Sequence, residues 1–256
     1  MSRTTIYSAL VLSNRISNLV IANQEANSEI TLLTAEEGII RATAFGGPKS
    51  KLRAHSAPYN SGQVWIYCNP LKDNKKLSDF DVHSWRPGLR ELYDRAIAAG
   101  GVAETILCTH GGGGDWRIAL ELATATLDAL ENASEELCPR LLVHFLWHWA
   151  GFLGIQPQIE YCSSCGIEIA DSSFWFSSCE NNVLCRNCAD IKSSVPNSSL
   201  LQINPGCRRW LSATGAIEPH FLYRYSMDNR SYGEAKALTT AIMTGILGKR
   251  LSSWDW

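Results

Sequence analysis

Apolar and polar positions follow two different rhythms along this chain. Up to about residue 85 the apolar residues come in short β-rich runs: "TIYSALVLS", "SNLVIANQ", "EITLLT", "GIIRATAFG", "GQVWIYCN" and "LSDFDVHSW". The stretches "AEEG", "GGP" and "NSG" punctuate them as turns. Runs of this length with such turns predict a small all-β barrel or sandwich of five to six strands.

After "WRPG" the spacing lengthens to three and four residues, the period of a helix with one buried face. "LRELYDRAIAAG" and "DWRIALELATATLDALEN" read this way, with Asp115 as N-cap after four glycines. In "EELCPRLLVHFLWHWAGFLG", Leu137, Leu141, Phe145, Trp149 and Phe152 form one stripe, which Gly154 and Pro157 end. "NPGCRRWLSAT" opens on Asn204 as N-cap with Pro205 at the first helical position. "SYGEAKALTTAIMTGILGKRL" stacks Leu238, Ile242 and Ile246, with Lys249 and Arg250 in its last turn. The fold class is therefore α+β, with a barrel domain at 1–85 and a helical domain at 86–256.

Composition narrows the function classes. With 256 residues, 45% of them apolar, the chain can bury one large core or two to three small ones. The net charge of −2 announces no polyanion partner for the chain as a whole. Charge is nevertheless uneven: residues 1–85 hold nine Lys and Arg against seven Asp and Glu, a net of +2, and the rest is −4. No signal-peptide core is read at the N-terminus, where Asn14 and Arg15 interrupt the apolar run. "LLVHFLWHWAGFLGI" is 15 residues long, shorter than the roughly 18 needed to cross a bilayer.

The densest chemistry lies within residues 160–192. "CSSCGIEIADSSFWFSSCENNVLCRNC" sets two CxxC pairs, Cys162 with Cys165 and Cys185 with Cys188, nineteen residues apart. Each pair can place two thiolates at adjacent corners of a tetrahedron, and the separation suits a four-cysteine zinc site. Four thiolates leave no open coordination position, so the expected Zn2+ is structural. The alternative, two redox dithiols, is disfavoured because neither pair is read at a strand-to-helix junction. Cys179 fits neither pair and is a spare thiol.

"RATAFGGPKSKLRAH" carries Arg41, Lys49, Lys51 and Arg53 without an acid. A strand continuing through it would send Lys49, Lys51 and Arg53 to one side, where phosphates can be met; otherwise it is a solvated hairpin. "THGGGGDWR" lacks the Lys-Ser/Thr pair of a phosphate loop and reads as a helix-to-helix connection. His144 and His148 in "HFLWH" lack the glutamate of a zinc protease helix and read as core. An enzyme would need polar groups such as His110, Asp115 and His148 to converge, and no spacing forces that. It stays as the alternative, beside a protein-interaction scaffold, each with the zinc ribbon as a structural insert.

Taken together, "ALVL", "LLTAEEGIIRATAFGGPKSKLR" and "GIQPQIEYCSSCG … VLCRNC" resemble the RecO family of recombination and repair mediators, over about residues 5–250. The resemblance implies an OB-fold barrel that binds single- and double-stranded DNA, a helical domain with an embedded zinc motif, and no enzymatic turnover. It implies strand annealing and, with RecR, loading of recombinase onto DNA coated by single-strand-binding protein (SSB). It also implies a cytoplasmic, nucleoid-associated bacterial setting without a membrane. In such a barrel Arg41, Lys49, Lys51 and Arg53 would track the DNA backbone. Phe45, Tyr59 and Trp65 are candidates for base stacking, although Phe45 and Trp65 read as barrel core. The SSB C-terminal tail would need an apolar pocket flanked by cations such as Arg140, Arg208 and Arg209. The chain departs from the often basic family in its sequence pI of about 6.3.

Overall fold

The computed structural model describes residues 3–16, 27–45, 50–69, 74–169, 172–194 and 199–254. The chain divides into two compact units, Met1–Asn132 and Ala133–Trp256. The β-rich region ends with its last strand at Ser84, whereas the first unit continues through two helices to Asn132.

Five strands close a barrel in the first unit: β1 (Arg3–Ile16), β2 (Ser28–Thr34), β3 (Gly38–Ala44), β4 (Ser61–Asn69) and β5 (Asn74–Ser84). The expected run "SNLVIANQ" lies outside the described residues. The spatial order β1-β2-β3-β5-β4 is the Greek-key arrangement of an OB-fold. A long first strand makes closure possible. Its first half pairs with β4, from Arg3 opposite Cys68 to Leu10 opposite Ser61, and its second half with β2 beyond a bulge between Val11 and Ser13. Bulges of this kind bend and twist a strand so that it can serve both neighbours. The last seam is parallel and joins Thr43 to Lys76 and Ala44 to Leu77.

Alternation fills the barrel with Tyr7, Ala9, Val11, Ile30, Leu32, Ile40, Ala42, Ala44, Val64, Ile66, Leu77 and Phe80. Leu10, Leu12 and Leu33 fall on the other side of their strands yet are buried as well, because α2 (Tyr93–Cys108) and α3 (Trp116–Glu131) lie against β1 and β2. Burial on both faces explains why "ALVL" is continuously apolar. Gly38 makes the close approach possible. Its φ is +68°, and a Cβ there would stand 2.7 Å from the Trp116 indole that begins α3. A short helix, α1 (Lys51–His55), leads into β4, with Leu52 packed on the barrel core.

Two polar clusters hold the first unit together. At the β2–β3 turn, Glu37 accepts from the Tyr7 hydroxyl at 2.6 Å and from Lys75 at 2.9 Å. After β5, the buried Arg86 donates to Asp128 of α3, to the Tyr59 carbonyl and to the Ser61 hydroxyl. A guanidinium can serve all three because its donors form a fixed planar fork.

In the second unit α4 (Leu137–Phe152) supplies the buried stripe, with Leu141, Phe145 and Trp149 fully enclosed. It packs against α7 (Asn229–Leu247) and α6 (Pro205–Thr214). The expected caps form: Asp115 accepts from Ile118 N–H, and Asn204 from Cys207 N–H at 2.8 Å. The last helix is shorter than its pattern. Gly248 ends it in the left-handed region, which leaves Lys249 and Arg250 beyond it and Ile246 exposed. Between α4 and α6 lie β6 (Phe174–Ser177), β7 (Asn182–Leu184), α5 (Arg186–Ser193) and β8 (Leu200–Ile203); the strands form a sheet ordered β7-β6-β8.

Candidate metal centre and nucleic-acid interface

The two CxxC pairs meet. Sulfurs of Cys162, Cys165, Cys185 and Cys188 all lie within 4.8 Å of one another, and Cys165 Sγ is 3.8 Å from Cys185 Sγ. Tetrahedral bonds of about 2.3 Å to a central ion put thiolates about 3.8 Å apart. The first pair turns sharply at Gly166, φ +72°, where Gly166 N–H reaches the Cys162 carbonyl at 2.8 Å. Ser163 ties that turn to β7 through its own N–H, which donates to the Val183 carbonyl, and its hydroxyl, which accepts from Val183 N–H. β7 leads directly into the second pair, so one strand sets the distance between them.

One detail corrects the sequence reading. Cys185 follows β7 and is the N-cap of α5, so the second pair does sit at a strand-to-helix junction. Its sulfurs nevertheless face those of the first pair, as a metal site requires. The protonation balance fits a cation as well. Burial raises the Cys162 thiol, but N–H groups of Cys185, Cys165 and Ser164 overcome it and bring it down to about 6. Cys188 is drawn down by the Ser164 hydroxyl, yet the Cys165 and Cys185 sulfurs push it up to about 12. Four thiolates cannot share this space without positive charge at their centre. The cluster can hold a metal ion. Cys179 is exposed and outside it.

The basic residues are arranged differently from the extended reading. Residues 51–55 are helical, and two positions along a helix lie roughly 200° apart around its axis. Lys51 is accordingly exposed while Arg53 is half-buried, and the two do not share a side. Arg41 is exposed on β3, across from Thr31 of β2. Lys49 lies outside the described residues.

The aromatic candidates also separate. Phe45 is not core but 42% exposed, with Lys76 Nζ 4.8 Å from its ring centre. The alternation of β3 explains it: Ile40, Ala42 and Ala44 point inward, so Arg41, Thr43 and Phe45 point out. Trp65 is half-buried between core neighbours Val64 and Ile66 and stands opposite Asp79 of β5. Tyr59 has φ +73°, and burial raises its hydroxyl pKa. Sequence reasoning missed Lys76 and Tyr67, which pair across β4 and β5; the alternation of "VWIYC" and "KKLSDF" carried the signal for both.

His144 and His148 both place Nε2 near the Thr214 carbonyl, at 3.3 and 3.2 Å. His110 sits in a left-handed turn, and Asp115 caps α3, both in the unit that excludes His148. Arg140 lines a small cavity with Tyr232, and Arg209 another with Trp210. Among the described residues no helix is long and apolar enough to cross a membrane.

Comparison with known proteins places the chain among relatives of one kind. The family profile described as "Recombination protein O C terminal" matches residues 93–255. "DNA repair protein RecO" of Rubrobacter xylanophilus is 28% identical over 200 residues, 77% of each chain. The same-named protein of Anaeromyxobacter sp. strain K is 26% identical over 240 residues, 90% of this chain and 88% of its own. That of Synechococcus sp. is 28% identical over 193 residues, and the match spans 64% of its length.

Proposed function

Since the chain belongs to the RecO family, we propose that it is a non-catalytic DNA-binding mediator of recombination and repair. In this reading it anneals complementary strands and, with RecR, helps load recombinase onto DNA coated by single-strand-binding protein, whose C-terminal tail it contacts. It would act in the bacterial cytoplasm, at the nucleoid. The observation that carries the reading is the closed barrel of OB order with cations turned outward: Arg41 on β3 and Lys51 on α1. OB barrels bind single strands through a positive groove and stacked bases, and Lys49 and Arg53 complete the set assigned to the DNA backbone.

Zinc at Cys162, Cys165, Cys185 and Cys188 belongs to the same reading. When bound it supplies cross-linking, not chemistry, because four thiolates fill its coordination shell. The protein's part is to hold the two turns together through Ser163 and β7.

A labelled single-stranded oligonucleotide, titrated at low and moderate salt with and without RecR, tests the reading. Salt-dependent binding is expected, and absence of binding under every condition would overturn it.

A further inference from the structure

The outer wall of the barrel carries a group of side chains that charge alone does not explain. Arg41 and Thr43 of β3 and Phe45 just beyond its end project at alternate positions, each about 6.6 Å from the next. The parallel seam sets Lys76 beside Thr43, and the antiparallel β4–β5 ladder sets Tyr67 on its other flank. Lys76 extends over the Phe45 ring. An ammonium thus lies over a ring that is 42% exposed on the wall of the barrel, with Tyr67 at the register position opposite Lys76.

The electrostatic surroundings single out this place from other exposed aromatics. Trp65 faces Asp79 across the ladder, and a carboxylate there repels a phosphate. On the Phe45 side Glu29 stands opposite Thr43, and Arg15 stands opposite Glu29 on β1. Tyr59 is held by its packing, its hydroxyl near Gly100 of α2. On the barrel, among the described residues, the exposed Phe45 ring has a cation, Lys76, over it.

Resting on the nucleic-acid reading above, we propose that Phe45, Lys76 and Tyr67 form a base-stacking subsite that makes the protein prefer single strands to duplex. An unpaired base can lie on the Phe45 ring while its phosphate meets Lys76 or Arg41; a base inside a duplex is already stacked and cannot turn its face outward. Phosphate contacts hold either kind of strand, so the aromatic ring is the element that discriminates.

The experiment uses the full chain and three fluorescent probes of equal length: an oligothymidylate, the same backbone with abasic positions, and a duplex. Phe45→Ala is expected to weaken oligothymidylate binding about tenfold and to change binding of the abasic strand and the duplex less than twofold, while Phe45→Trp retains wild-type binding. Lys76→Gln should weaken all three and reduce the salt slope by about 0.7 on single strands. Equal loss on all probes with Phe45→Ala, or no loss on any, overturns the subsite while the DNA-binding reading stands. Failure of the wild-type chain to bind any probe overturns both. Phe45 is outside the core, so an unchanged melting temperature separates these outcomes from misfolding.

Discussion

Arg86 Nε lies 2.6 Å from Asp128 Oδ1, with the guanidinium side chain 1% exposed and the carboxylate 55%. The pair joins the segment leaving the barrel to α3, and the same guanidinium holds the Tyr59 carbonyl and the Ser61 hydroxyl. Replacing Arg86 by Met keeps the stem and removes every donor, leaving three acceptors to be satisfied otherwise. A loss of about 3 kcal/mol is expected in urea denaturation. Asp128→Asn should cost less, because water can reach that side of the pair. A change below about 0.5 kcal/mol for Arg86→Met would show that the staple contributes nothing net.

Metal removal gives the second expectation. Purified protein should contain one zinc per chain, and chelation should lower the melting temperature of the second unit, because the ion's binding free energy is part of folding there. Cys188→Ser should lose the metal, whereas Cys179→Ser should keep it. Metal analysis of the two variants decides the matter.

Charge replacement on the barrel separates the cations by exposure. Arg41→Ala and Lys51→Ala should each lower the salt slope of single-strand binding by about 0.7. Arg53, half-buried on α1, should have the smaller effect. Titration of one oligonucleotide at several salt concentrations provides the comparison.

Acid should destabilise the two units in different windows. The Tyr7 hydroxyl, and after it Lys75, hold the Glu37 carboxyl below its ordinary 4.5. A depressed carboxyl contributes stability that is full above pH 4.5 and disappears as pH falls through the folded value. Burial, and then the neighbouring His148, lower His144 from 6.5 to about 3. The folded second unit therefore binds fewer protons than the unfolded chain, and its stability declines as pH falls from 6.5 toward 3. Denaturation at a series of pH values should show Glu37→Gln flattening the lower limb and His144→Gln the upper one.

Much of this fold was legible from local pattern. Asp115 and Asn204 announced their helices because a cap acts through its own neighbours three residues on. The cysteine pairs announced their cluster because a tetrahedral ion constrains spacing. What escaped notice depends on partners distant in the chain. "KLRAH" reads as extended on its basic alternation but folds as a helix because Leu52 reaches the barrel core. Phe45 reads as core by its chemistry and is exposed by the phase of β3, which Ala42 and Ala44 decide. Nothing near Arg86 in sequence says that it meets Asp128, 42 positions later. The strand-to-helix junction at Cys185 was hidden because "NVL" is too short to show a period.

The barrel is a ring with one clasp. Its ladder between β2 and β3 runs from Ser28–Ala44 to Thr34–Gly38, but among the described residues the β3–β5 join consists of Thr43–Lys76 and Ala44–Leu77. Amide protons along this join should exchange soonest among those of the strands, since few bonds must break for it to part. Phe45 and Lys76 sit on opposite sides of that clasp, so whatever occupies both at once would fasten it, and slowed exchange at four backbone positions would record the occupant's arrival.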